Sequence, residues 1–266
     1  MVNRVVIAGA GHAAGQAAVT LRQKKFDGEI LMIGEEPWYP YQRPPLSKKY
    51  LAGELPADRL HLKPDNFYAD ANIEVRLKTR VEAIDRGDKS VSLSSGDTVH
   101  YDTLILATGA VVRRLALPGT ELPGVHYLRN IHDVDRIRAD MAPGRRMVVI
   151  GAGYIGLEVA AVASHLGLDV TVVEMESRVM SRVVSAQVSD FYEREHLSHG
   201  VKLRLSTGVS GFSGGSRVTS VNLHNADPLA ADMVLIGIGI EPNVGLASAA
   251  GLEVSNGIVV DDRCRS

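Results

Sequence analysis

The chain has 266 residues, enough for two modest domains or one large one, and its 45% hydrophobic and 23% charged content is that of an ordinary globular protein. A formal net charge of −2 gives no electrostatic reason to expect nucleic acid as a partner, and no apolar run is long enough to span a bilayer. The single cysteine, Cys264, leaves no intramolecular disulfide and no CxxC-type pair, so storage of two electrons in a protein dithiol is excluded.

In chain order, "MVNRVVIAG" enters a strand directly rather than a signal peptide, and the expectation is a soluble cytoplasmic protein. The strand "RVVIA" leads to a glycine turn and an Ala-rich helical run from about Ala14 to Lys25. "EILMIG" follows as a second strand and ends in Glu35 and Glu36. Then come a Pro-rich stretch, "WYPYQRPPLSKKYLAGELP", and short β-rich pieces that read as a small antiparallel layer. "LPGTELPG" has the Pro and Gly density of a linker and places a boundary near residue 113. Strand, glycine turn, helix and strand recur in "RMVVIGAGYIGLEVAAVASHLGLDVTVVE", which ends at Glu174. A helical "VSAQVSDFYEREHLSHG" and further strands lead to "DMVLIGIGIEPN" and a short final stretch. This alternation predicts an α/β fold with parallel sheets covered by helices, built from two related nucleotide-binding units.

In Gly151, Gly153 and Gly156 the glycines permit a tight turn, close approach of backbone to a pyrophosphate, and close helix–strand packing. The helix N-terminus then turns free N–H groups and its positive dipole end toward phosphate. Glu174 closes the next strand, where a carboxylate accepts from both ribose hydroxyls and repels a 2′-phosphate, which favours NADH over NADPH; Arg178 and Arg182 nearby soften that preference. The first copy has Gly9, Gly11 and Ala14, with Ala13 beside them and Glu35 at the acidic place. Two such units in one chain point to a flavin enzyme, with one unit for FAD and the other for the nicotinamide nucleotide. Trp38, Tyr39 and Tyr41 read equally as an adenine-packing group or a satellite hydrophobic cluster.

"PYQRPPLSKKYLAGE", "LILATGA", "YIGLEVAA" and "GIGIEPN", supported by "RVMSRVVS" and "FYEREH", together resemble the FAD-dependent ferredoxin reductases of bacterial oxygenase systems. The resemblance implies two Rossmann-like, three-layer domains of the glutathione-reductase type, the second inserted in the first. Residues 1–113 would be the FAD domain, 114–243 the NADH domain and 244–266 a partial return to the FAD domain. Ala13, Glu35, Lys48, Val81 and Arg129 match family positions that contact FAD, and Thr108 and Gly109 match the signature at the return to the flavin. Arg43 lies in the same Pro-Pro loop, where its guanidinium could pair with pyrophosphate. Lys48 is implied to lie near the reactive edge of the flavin and to pair with Glu158, which keeps it charged and oriented.

The implied activity passes electrons from NADH through FAD to a [2Fe–2S] ferredoxin of a P450 or ring-hydroxylating oxygenase system, with a monomer as the expected form and no metal site. A rubredoxin or nitrite-system reductase is the alternative acceptor reading, and a nucleotide-binding fragment without catalysis is the alternative of another class. The family continues past the point where this chain stops, to an "AxGD"-like motif and a C-terminal domain. The expectation is therefore a reductase lacking its C-terminal third, with a complete NADH unit and with retention of FAD left open.

Overall fold

Strand β1 (Arg4–Ala8) alternates its side chains between two apolar environments, and this alternation organises the first half of the computed structural model, which describes residues 3–266. Val5 and Ile7 face helix α1 (His12–Gln23), with Ala14 and Ala18 against them. Val6 faces the other way, with Leu31 and Ile33 of β2 (Glu29–Ile33), against Val91, Leu93 and Val99. Helix α2 (Asn66–Asp70) precedes β3 (Ile73–Arg76), and an antiparallel meander of β4 (Val81–Asp85), β5 (Ser90–Leu93) and β6 (Thr98–His100) follows. Strand β7 (Thr103–Leu106) returns beside β1, giving a parallel sheet in the order β3-β2-β1-β7. Helix, parallel sheet and meander are thus three layers. A strand buried on both faces needs the near-continuous apolar runs seen in "RVVIA" and "EILMI".

After β8 (Ala110–Val112) the plan repeats. Strand β9 (Val125–Tyr127) and helix α3 (Ile131–Asp140) lead to β10 (Arg146–Ile150), α4 (Tyr154–His165) and β11 (Asp169–Val173). Helix α5 (Ala186–Ser198), β12 (Lys202–Arg204), the meander β13 (Val209–Gly214), β14 (Val218–Leu223) and β15 (Ala226–Ala230), and then β16 (Met233–Ile236) complete it. The five-stranded parallel sheet runs β12-β11-β10-β16-β9. Val148, Ile150, Val234 and Ile236 pack on Phe212, Val218 and Val221 of the meander. Strand β17 (Ile240–Pro242) pairs with β8, helix α6 (Gly245–Ala249) packs on β4, and a short hairpin of β18 (Val254–Ser255) and β19 (Gly257–Ile258) follows.

The chain divides into two compact units. The first takes the described residues up to Arg43, Asp58–Val111 and Glu241–Ser266; the second takes Pro44–Ala57 and Val112–Ile240. The Pro-rich segment is therefore divided: from Pro44 onward it groups with the second glycine turn, although it follows the first in sequence. The "LPGTELPG" stretch is not loose either. The Phe212 N–H donates to the Pro118 carbonyl at 2.8 Å, and a Cβ on Gly119 (φ +82°) would lie 2.2 Å from the Phe212 carbonyl oxygen.

Candidate dinucleotide sites

In each unit the first glycine of the turn is required by backbone and space together. Gly9 has φ +125° and would place a Cβ 2.2 Å from the Ala107 carbonyl oxygen; Gly151 has φ +98° and would place one 2.6 Å from the Gly237 carbonyl oxygen. The third position packs helix on turn: a Cβ on Gly156 would meet the Gly151 carbonyl oxygen at 2.0 Å, while Ala14 is accommodated, fully buried, in the first unit. The middle glycines differ. Gly11 and Gly153 have no heavy atom within 4 Å of a built Cβ, and each is the N-cap of a helix with no side chain bonded to its first N–H groups. Bare donors, a positive dipole end and clearance above the middle glycine are what a pyrophosphate needs, and both units fit that group.

At the acidic end of the first unit, the Thr79 N–H donates to the Gly34 carbonyl at 2.9 Å, which brings the start of β4, Val81, to the edge that carries Glu35. Glu35 is exposed, with Arg80 3.8 Å away. Ala13 lies on the exposed first turn of α1. Arg43 is held by Glu36 at 2.6 Å and donates to the Tyr41 hydroxyl at 3.0 Å, so its guanidinium is already paired with a carboxylate. Tyr39 stacks on Tyr68 at 5.3 Å, and Trp38 lies 6.5 Å from the His61 ring; these aromatics form a cluster of their own. Thr108 donates its hydroxyl to the Asn243 carbonyl at 2.7 Å, and the Asn243 N–H donates to the Gly109 carbonyl at 2.9 Å.

In the second unit the Glu174 carboxylate accepts from the Ala152 N–H at 2.7 Å and from the Glu176 N–H at 2.9 Å. It is thereby fixed beside the glycine turn with further acceptor sites left for ribose hydroxyls. The Arg129 N–H donates to Asp133 at 3.0 Å, where a capping box between Asn130 and Asp133 starts α3. Lys48 Nζ lies 2.7 Å from Glu158 Oε2, across 110 residues of sequence. That same oxygen accepts from the Ser47 hydroxyl at 2.5 Å, and Lys48 donates to the Pro44 carbonyl at 3.2 Å.

Four residues beyond those read from the sequence, Ser47, Tyr50, Asp135 and Arg138, hold the segment that carries this pair. Ser47 supplies the second bond to Glu158, and its adjacency to Lys48 in "PPLSKK" is the signal that could have found it. Tyr50 donates to Asp135 at 2.8 Å and lies under the Arg138 guanidinium at 5.7 Å. Burial, then the Asp135 carboxylate, push the Tyr50 hydroxyl up to about 12, so it stays a donor throughout the physiological range. Nothing local in the sequence marks Tyr50, because its partners lie 85 residues away on α3.

The model of the pyridine nucleotide-disulphide oxidoreductase family matches residues 3–266. The chain belongs to that family. FAD and NAD(P)H are the cofactors of the family. The rhodocoxin reductase of Rhodococcus erythropolis is 46% identical over 263 residues, covering 98% of this chain and 62% of that protein. A rubredoxin-NAD(+) reductase of Pseudomonas putida is 41% identical over 263 residues, covering 98% of this chain and 68% of that protein. Among solved structures, the covalent putidaredoxin reductase–putidaredoxin complex contains a chain that superposes with a TM-score of 0.95 at 42% identity, covering 98% of this chain and 64% of that one. The chain thus spans rather less than two thirds of the rhodocoxin and putidaredoxin reductases. Among the described residues no helix is long and apolar enough to cross a membrane, and no group of three or more His, Cys, Asp or Glu is arranged to hold a metal.

Proposed function

We propose that the first unit binds FAD, that the second binds NADH, and that the chain is the nucleotide-binding portion of a cytoplasmic NADH-dependent flavoprotein reductase whose electron acceptor is a [2Fe–2S] ferredoxin of an oxygenase system. The observation that carries the reading is the pair of glycine turns, each with an uncapped helix N-terminus and an acidic strand end. The resemblance to ferredoxin reductases supplies the acceptor. FAD, when bound, accepts the electron pair of a hydride and releases electrons singly, which suits an acceptor that takes one at a time.

The chain's own residues bind, orient and hold charge. Gly9, Gly11, Ala13 and Ala14, with Glu35, Arg43, Val81, Thr108 and Gly109, are the proposed FAD contacts of the first unit; Arg129, matched to a FAD position by the resemblance, falls in the second unit. Gly151, Gly153, Gly156 and Glu174 are the proposed NADH contacts. Lys48 keeps a fixed positive charge near the reacting edge, and Glu158, braced by Ser47, holds that ammonium in one place. No acid, base or nucleophile is required of the protein. The relative that acts as a rubredoxin reductase favours rubredoxin as the second reading of the acceptor.

The test is the visible spectrum of the purified 266-residue chain before and after anaerobic NADH. Flavin bands that bleach on NADH support both sites together. A colourless chain that still binds NADH would restrict the proposal to the second unit, and a chain that binds neither nucleotide would end it.

A further inference from the structure

We infer that the ion pair between Glu176 and Arg182, acting with Glu174, sets the preference for NADH, and that Arg182 is a held-back partner for the 2′-phosphate of NADPH. The inference rests on the reading of the second unit as a nicotinamide dinucleotide site.

NADPH differs from NADH only by a phosphate on the adenosine ribose, so a site that accepts it must present a cation where a site that refuses it presents an anion. The segment after β11 carries two acids, Glu174 and Glu176, and two arginines, Arg178 and Arg182. Glu174 is fixed by its two backbone bonds, to Ala152 and Glu176. Arg178 is committed inward. It donates to the Val184 carbonyl at 3.0 Å, the Ser181 carbonyl at 2.6 Å and the hydroxyl of fully buried Ser189 at 2.6 Å. That guanidinium is a strut for the loop over residues 178–184, and turning it to a ligand would break three bonds.

Arg182 is different. Its side chain is 75% exposed, and its contact in this segment is Glu176 Oε1 at 3.5 Å. So exposed and long a pair contributes little to stability. Its consequence is electrostatic: Glu176 neutralises the one cation of the segment that could swing to a 2′-phosphate, and leaves Glu174 as the net charge there. Removing the Glu176 charge therefore leaves the fold intact and releases the guanidinium, whose planar fork is suited to phosphate.

The test is titration of the 266-residue chain with NADH and with NADPH, read by nicotinamide fluorescence, for wild type, Glu176→Gln, and Glu176→Gln with Arg182→Ala. Wild type is expected to bind NADH more tightly than NADPH. Glu176→Gln is expected to tighten NADPH about five- to tenfold, with a smaller change for NADH, and added salt should diminish the gain. The second substitution is expected to cancel it, since the phosphate then has no guanidinium to meet. A wild-type chain that binds NADH while Glu176→Gln gains no NADPH affinity overturns the inference alone, as does a gain that survives the loss of Arg182. A wild-type chain that binds neither nucleotide overturns the reading of the second unit and this inference with it.

Discussion

Replacing Asp140 by asparagine removes one charge from a cluster that joins five pieces of the second unit. Asp140, the last residue of α3, lies 2.6 Å from His126 Nε2 on β9, and accepts from Arg217, just before β14, at 3.0 Å. Arg145, just before β10, is 3.6 Å away and also donates to the Asp232 carbonyl ahead of β16 at 2.9 Å. An asparagine keeps one acceptor, so His126 or Arg217 loses its partner while two guanidinium groups lose their counter-ion. Breaking a buried pair in this way costs about 3–5 kcal/mol. Asp140 is 20% exposed, Arg145 27% and Arg217 40%, so solvent screens part of the loss. The expected destabilisation is about 2 kcal/mol, a fall in Tm of about 4–8 °C for a chain of this size.

Burial alone would raise the Asp140 carboxyl, but hydrogen bonds from Arg217 and His126 outweigh it and hold it below its usual 3.8. Its stabilising contribution is therefore present above the ordinary carboxylate range and is lost as pH falls through the folded value, so wild type and variant should converge in acid. The assay is thermal unfolding followed by circular dichroism between pH 7 and pH 3, with NADH affinity measured in parallel. The cluster gathers around the starts of β10 and β16, whereas the glycine turn follows the end of β10, so NADH affinity should hold while stability drops. A stability change under about 0.5 kcal/mol would refute the energetic argument. Lost NADH affinity at unchanged stability would refute the separation of the two ends.

Gly153→Ala should leave the fold nearly intact, at a cost of about 1 kcal/mol for a poorer N-cap, yet weaken NADH at least tenfold, because its Cβ meets nothing within 4 Å in the protein and would occupy the space above the turn. Equilibrium titration against unfolding midpoints checks the contrast. Gly9→Ala should do the reverse of sparing the fold: φ +125° and an oxygen 2.2 Å from the new Cβ predict a loss of about 3 kcal/mol or more, read in denaturant unfolding of the first unit. His126 is held below its usual 6.5 by burial, which outweighs the raising effect of the Asp140 carboxylate. Below that pH the unfolded chain binds a proton that the folded one resists. Stability should therefore decline as pH falls from about 6.5, and His126→Gln should flatten that limb of the profile.

Both dinucleotide folds were legible because their signals are local. "RVVIA" and "RMVVI" are apolar on both faces, as central parallel strands must be, and each glycine turn sits between strand and helix at a spacing that only one geometry satisfies. The first meander was legible as short β-rich pieces, whereas the second read only as further strands. The pairing of Arg43 with Glu36 was not, because an arginine in a Pro-rich loop reads alike whether it faces a carboxylate of its own chain or a ligand's phosphate. Arg178 shows the same ambiguity: only the path of residues 179–189, which wraps carbonyls and a buried hydroxyl around it, distinguishes a strut from a binding group.

The grouping of Pro44–Ala57 with the second unit depends on contacts that no local pattern encodes. Ser47 and Lys48 meet Glu158 on α4, and Tyr50 meets Asp135 and Arg138 on α3, so the segment is tied to two helices of the nucleotide unit whose sequence begins far downstream. The Lys48–Glu158 ion pair, about half exposed on the lysine side, would hold this segment weakly by itself. The half-buried Tyr50–Asp135 bond and the packing of Arg138 over the ring supply a second, less exchangeable attachment two residues away. With both in place the ammonium of Lys48 has little freedom relative to α4, the helix whose N-terminus is the proposed NADH pyrophosphate site. On the proposed assignment the positive charge is then positioned by the unit that would receive NADH, and a fixed charge would do its electrostatic work without reorganising during the reaction.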